Sequence, residues 1–201
     1  RQRQMCIRDR YILEAYLQNI KEVAVIVAKA GSEVRIGPVI QNYFDRHQLK
    51  ASSVRADVDP AVIVEIRRIA AKISEKLAYT GIFSLEFFLA SNGTLYVKRV
   101  YPGPKLYGHL MLNTSDISEY ELHLRAILGW PLPELQLAED GVGIPLRSED
   151  MDAVLTQIQI KPDWRFTFYP TGGELTGEIQ IVGDLKAIKA SVNATGHFVI
   201  Q

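Results

Sequence analysis

The chain has 201 residues, enough for one domain or two small ones. Apolar residues make up 47% and charged residues 23%, the proportions of a globular protein with a packed core. The formal net charge is zero, and no apolar run approaches the roughly 18 residues that span a bilayer, so neither nucleic acid nor a membrane is favoured as a partner. A single cysteine, Cys6, excludes an intrachain disulfide and the paired-cysteine metal motifs. A cytoplasmic location fits that usage.

Residues 1–10 carry Arg1, Arg3, Arg8 and Arg10 and lack the apolar core of a signal peptide. Met5-Cys6-Ile7-Arg8-Asp9 resembles translated sequencing-adaptor read-through. The expectation is a non-native tail, with a basic disordered tail as the alternative. Ile12–Leu17 is a short apolar run broken by Glu14. Glu22–Ala28, rich in β-branched residues, predicts a buried strand. Gly31-Ser32 reads as a turn and Glu33–Ile36 as its half-buried partner. Residues 42–57 are polar and irregular, with no element predicted. Asp59-Pro60 supplies an N-cap and a first-turn proline. Val62, Ile63, Ile66, Ile69, Ala70, Ile73 and Leu77 then recur at helical spacing, predicting a helix to about Ala78.

Ile82–Leu89 and Thr94–Val100 predict a hairpin turned at Ser91-Asn92-Gly93. One carboxylate, Glu86, lies inside its apolar first strand. Many ATP-dependent ligases build a magnesium–nucleotide site on such a hairpin, with an acid on each strand. Here the second strand carries Lys98-Arg99 where the second acid would stand. Tyr101-Pro102-Gly103-Pro104 reads as a rigid loop. Ser115 or Ser118 can cap a helix over 118–128, which Gly129 and Pro131 stop. Residues 131–145 form a Pro/Gly-rich joint. Ala153–Ile160, Trp164–Tyr169, Glu178–Val182 and Lys186–Val192 predict short strands or helices of a small α+β unit. Ser148–Asp152 is acidic but lacks the glycine and closing glutamate of a calcium loop, so it reads as a helix N-terminus.

These segments carry a family likeness. Asp116-Ile117-Ser118-Glu119-Tyr120-Glu121-Leu122-His123-Leu124-Arg125-Ala126-Ile127 followed by Pro131-Leu132 resembles the "S-Q-F-E-x-H-L-R-A-I … P-L" stretch of the N5-carboxyaminoimidazole ribonucleotide synthetases, ATP-grasp enzymes of purine synthesis. The likeness is good over about 11–135 and weak over 140–201. It corresponds to the family's carboxy-terminal half, without the glycine-rich phosphate loop. The resemblance implies an α+β fold: an ATP-grasp subdomain of antiparallel sheet and helices over 11–135, then a small cap over 140–201. It implies a ligase that joins bicarbonate to the amine of aminoimidazole ribonucleotide at the expense of ATP with Mg²⁺, and a homodimer. It also implies that Glu14 and the backbone of Ala15-Tyr16-Leu17 meet adenine, that Glu22 accepts from the ribose hydroxyls, and that Glu86 is the first metal acid.

The departures from the family are equally specific. Its "N-E-x-A-P-R-x-H-N-S-G-H" stands here as Lys98-Arg99-Val100-Tyr101-Pro102-Gly103-Pro104-Lys105-Leu106-Tyr107-Gly108-His109. The second metal acid has become Arg99 and the phosphate-facing arginine Gly103. The family's "N-x-H" is Asn42-Tyr43-Phe44. Its late "G-R-K-x-G-H" aligns with Gly173-Glu174-Leu175-Thr176-Gly177-Glu178. His109 and His123 read as structural. Glu86 also admits a simpler reading, a strand-face acid paired with Lys98 or Arg99. The leading expectation is therefore a fragment of an ATP-dependent ligase, inactive by itself. The alternative is a non-catalytic ATP-grasp relative that binds nucleotide or pairs with another chain.

Overall fold

The computed structural model describes residues 17–170 and 173–200. Among them the strands form one eight-stranded antiparallel sheet in the order β5-β4-β1-β2-β3-β6-β8-β7. These are β1 (Ile20–Ala30), β2 (Glu33–Asp45), β3 (Gln48–Val54), β4 (Gly81–Ala90), β5 (Leu95–Pro102), β6 (Gly141–Leu146), β7 (Arg165–Phe168) and β8 (Gly177–Val182). Helix α1 (Pro60–Lys76) follows β3. A 3-10 turn (Leu106–Leu110) runs into α2 (Met111–Thr114), and α3 (Glu119–Ile127) follows it. Helix α4 (Met151–Ile160) lies between β6 and β7, and α5 (Leu185–Asn193) comes last. The expected α+β fold is the one observed.

Successive strand residues point to opposite faces, and both faces of the central strands are covered. Val23, Val25 and Val27 of β1 pack with Phe83, Leu85 and Phe87 of β4 against Ile66 and Ala70 of α1. Ala24, Ile26 and Ala28 face the other way, toward Tyr107, Leu110, Met111, Ile117, Leu122 and Ala126. That is why β1 reads as an unbroken apolar run. We call the second side the front face. A further core joins Val142, Ile144, Leu146, Ile179 and Ile181 to Val154 of α4 and Ile188 and Val192 of α5.

Local chemistry sets the boundaries. Asp59 Oδ1 accepts from the Ala61 amide at 2.7 Å and Pro60 opens α1, as its sequence predicts. Every apolar position predicted for that helix joins the core behind β1 and β4. Ser118 Oγ accepts from the Glu121 amide at 3.1 Å and starts α3, and Gly129, at φ +68°, ends it. The β4–β5 turn places Gly93 at φ +85°.

One expectation is corrected. Residues 42–57 are not irregular: β2 runs to Asp45, and β3 fills Gln48–Val54. The polar residues buried among them, Asn42, Ser52 and Ser53, are hydrogen-bonded, so polarity does not expel them from the sheet. Ser52 Oγ donates to Asn42 Oδ1 at 2.7 Å, Gln41 Oε1 accepts from the Asp57 amide at 3.1 Å, and Tyr43 and Ser53 hydroxyls lie 3.2 Å apart. The predicted rigid loop likewise begins later, since β5 continues through Pro102.

Candidate functional site

Glu86 and Glu22 stand on adjacent strands of the front face, Glu86 opposite Ala24 and Glu22 opposite Phe88. Glu86 is only 8% exposed. A buried carboxylate requires partners, and this one has four. Tyr107 Oη donates to Glu86 Oε1 at 3.1 Å. Lys98 Nζ and Arg99 Nε lie 3.5 and 3.9 Å from Oε2, and Lys105 Nζ lies 4.0 Å from Oε1. Unit charges about 4 Å apart interact by roughly 4 kcal/mol at an effective dielectric near 20. Arg99 is half exposed and counts for less.

Lys98 is the centre of the arrangement. Its ammonium donates to Glu22 Oε2 at 2.7 Å while reaching Glu86. The rings of Phe44 and Phe88 flank it, with centroids at 5.2 and 5.1 Å. The strand explains the aim. Glu86 pairs with Arg99 and Phe87 with Val97, so Lys98 is the extra residue of a β-bulge. A bulge bends its strand and re-aims a side chain that regular alternation would send elsewhere. Both Lys98 and Arg99 thereby reach the same carboxylate. Burial, and next the charge of Glu86, push the Tyr107 hydroxyl well above its ordinary pKa, so Tyr107 remains a donor.

Beside this cluster a cleft of about 780 Å³ is lined by Glu22, Asn42, Phe44, Arg147, His197 and Phe198. Leu17, expected at the adenine hinge, precedes β1 as irregular chain. Glu14, Ala15 and Tyr16 lie outside the described residues, as do residues 1–10.

A second polar cluster joins the 3-10 turn, α3 and β8. His109 Nδ1 lies 3.3 Å from both Glu178 Oε2 and the Tyr169 hydroxyl, and its Nε2 meets the Tyr120 hydroxyl. Burial alone would lower the His109 pKa, but the bond to Glu178, with help from Glu119, raises it. Burial pushes the Tyr120 hydroxyl up to about 12. Glu119 is fully buried at the start of α3. Its Oε2 accepts from the Lys105 amide at 3.1 Å, while Oε1 has no hydrogen-bond partner. Burial raises its pKa to about 7 against the pull of that amide and of His109. Gly108 makes room for this carboxylate: a Cβ there would lie 2.2 Å from Glu119 Oε2. His123 has the structural role expected of it, Nδ1 accepting from the Ile82 amide at 3.1 Å.

Sequence reasoning missed Tyr107, Lys105, Glu119 and Glu178 as site groups. Tyr107 and Lys105 show only as departures from a family string. Glu119 is indistinguishable in sequence from an ordinary acid in a helix's first turn. Among the described residues, no group of three or more His, Cys, Asp or Glu side chains could hold a metal ion.

The ATP-grasp domain profile matches residues 2–120. The chain belongs to the ATP-grasp family. It is 27% identical over 186 residues to the N5-carboxyaminoimidazole ribonucleotide synthase of Staphylococcus aureus, an alignment spanning 92% of this chain and 49% of that protein. The synthase of Staphylococcus epidermidis is 27% identical over 201 residues, spanning 98% and 52%. The crystal structure of the S. aureus synthetase complexed with ADP matches with a TM-score of 0.83 at 26% identity, over 90% of this chain and 51% of that one. The Aspergillus clavatus synthase, in complex with ADP and 5-aminoimidazole ribonucleotide, shares the fold with a TM-score of 0.81 at 22% identity. The ATP-grasp chain described here thus spans about half the length of the curated relatives it matches. No helix among its described residues is long and apolar enough to cross a membrane.

Proposed function

We propose that this chain forms the carboxy-terminal, nucleotide-facing half of a cytoplasmic ATP-dependent ligase of the N5-carboxyaminoimidazole ribonucleotide synthase kind, and that by itself it does not turn over. The observation that carries this reading is the match, along nine-tenths of the chain, to a synthetase solved with ADP. In this reading Leu17, with the preceding Glu14-Ala15-Tyr16, borders adenine, and Glu22 borders the ribose at the mouth of the cleft. A carboxylate suits a cis-diol, since it accepts two hydrogen bonds. Lys98, Arg99 and Lys105 supply the cationic side of the face, where phosphate oxygens would lie. The front face is roofed by Tyr107, Leu110 and Met111, which exclude water from the strand centres.

Magnesium, implied by the family, does not fit the residues present. Both Glu86 oxygens are engaged, by Tyr107 and Lys105 on one side and by Lys98 and Arg99 on the other. Gly103 and Leu175 cannot grip a phosphate through their side chains. These same features favour a second reading, a non-catalytic relative that binds nucleotide or pairs with another chain. Leu124, Ile127, Leu128 and Trp130, each at least half exposed, support an associating surface, whether for a homodimer or for another chain.

Purified protein mixed with ATP, bicarbonate and aminoimidazole ribonucleotide is the test. We expect ADP to bind and no substrate-dependent phosphate release. Release above background that Glu86→Gln abolishes would show a working ligase and overturn the claim of inactivity. Absence of ADP binding would overturn the nucleotide reading itself.

A further inference from the structure

We infer that the ammonium of Lys98 is a tethered cation, held between Glu22 and Glu86, that shuts a divalent ion out of Glu86, so that this front face accepts the phosphates of a nucleoside diphosphate or triphosphate without metal. This rests on the nucleotide reading for its ligand but not for its cation.

Two carboxylates set diagonally on one face of neighbouring strands repel each other, and with side-chain exposures of 21% and 11% water does little to screen them. Something positive must stand between them. In this chain it is Lys98, 2.7 Å from one acid and 3.5 Å from the other. Three features hold it there. The bulge aims it into the space. The faces of Phe44 and Phe88 close around it, which favours a cation and disfavours the hydrated shell a divalent ion would keep. Tyr107 also donates to the Glu86 oxygen that faces away from Lys98. Little ligand capacity remains for an added metal, and a divalent ion would stand against three cations.

The same geometry leaves positive charge to spare. Lys98, Arg99 and Lys105 face Glu22 and Glu86, three cations against two acids. Arg99 is 54% exposed, and Lys105, 24% exposed, holds its ammonium 3.8 Å from the centre of the Tyr101 ring. A guanidinium and an ammonium so placed bind phosphate oxygens directly. The ligand class is therefore a metal-free nucleotide polyphosphate.

The test has a metal arm and a nucleotide arm. In the first, the thermal midpoint and the paramagnetic resonance of Mn²⁺ are followed for wild type and for Lys98→Met. Wild type should neither bind Mn²⁺ nor gain stability from it. Lys98→Met, with Glu22 stripped of its cation and Glu86 of its nearest one, should do both. If that variant does not fold, wild type alone decides: Mn²⁺ bound there, with a rise in midpoint, overturns the tethered cation. Equal indifference of a folded Lys98→Met to Mn²⁺ overturns it too. In the second arm, calorimetry with ADP should give the same affinity with and without Mg²⁺. Tightening by about tenfold or more on adding Mg²⁺ defeats the inference while leaving the nucleotide reading intact. No ADP binding under either condition defeats the nucleotide reading and the ligand assignment, and the metal arm still judges Lys98.

Discussion

At the scale of single residues the decisive events are charges placed where they must be matched. Glu119 has no partner for Oε1, and burial raises its pKa from 4.5 to about 7. A group whose folded pKa lies above its unfolded value favours the folded state below the unfolded pKa and loses that advantage as pH rises through the folded one. For Glu119 that window runs from about pH 4.5 to 7. His109 is also raised above its ordinary 6.5, so its contribution is present below that value and fades above it. Both groups act in the same direction. Stability should fall as pH rises from about 5 to 8, by up to about 3 kcal/mol from Glu119. Glu119→Gln should flatten the lower part of that fall and His109→Gln the upper part, both read by urea unfolding at a series of pH values. A wild-type profile that rises across this range would show that Glu119 is ionised in the folded protein.

At the scale of elements, substitutions at two positions probe how the sheet and its helices are held. Asp59→Ala removes the side-chain cap of α1, and we expect a loss of about 1 kcal/mol. Asp59→Ser should recover most of it, since a serine hydroxyl accepts from the same amide. Gly177 opens β8 where a Cβ would lie 2.2 Å from the Thr167 carbonyl oxygen of β7. Backbone cannot yield as a side-chain tip does, so Gly177→Ala should cost roughly 1–3 kcal/mol in chemical denaturation. A neutral result would mean that β7 moves freely against β8. Most of these elements were legible from periodicity and caps. Helix α1 was read correctly because its apolar spacing and its Asp-Pro start agree. The pair β2 and β3 was not, because Asn42 with Ser52 and Tyr43 with Ser53 satisfy each other across the sheet while Gln41 accepts from the Asp57 amide, and such pairing has no signature along the chain.

For the molecule as a whole, one sheet runs through both of the units expected from sequence, but its seam is narrow. Strand β3 meets β6 over Ser52, Ser53 and Val54 only, whereas β1 meets β4 along its length from Ile20 to Lys29. Opening the sheet at that seam breaks few backbone bonds, with Ala51 of β3 and Tyr43 of β2 as the apolar contacts reaching across it to the core of β6 and β8. Native-state hydrogen exchange should therefore show amides of β8 exchanging through a smaller opening free energy than those of β1. Equal protection in the two strands would make the sheet a single cooperative unit.

The amino-acid sequence by itself determined the family, the fold class, the α1 and α3 boundaries and the presence of a lone acid in β4 facing Lys98-Arg99. These are properties of local spacing and of strings long enough to be distinctive. It left open whether Glu86 served a metal or an ion pair. Only the tertiary structure decided how that acid is surrounded, because the answer depends on a one-residue bulge in β5 and on Tyr107 and Lys105 arriving from a different element. Side-chain direction across a sheet reverses with a single residue of register. No pattern along the chain reports where that reversal falls, and here it places an ammonium between two carboxylates.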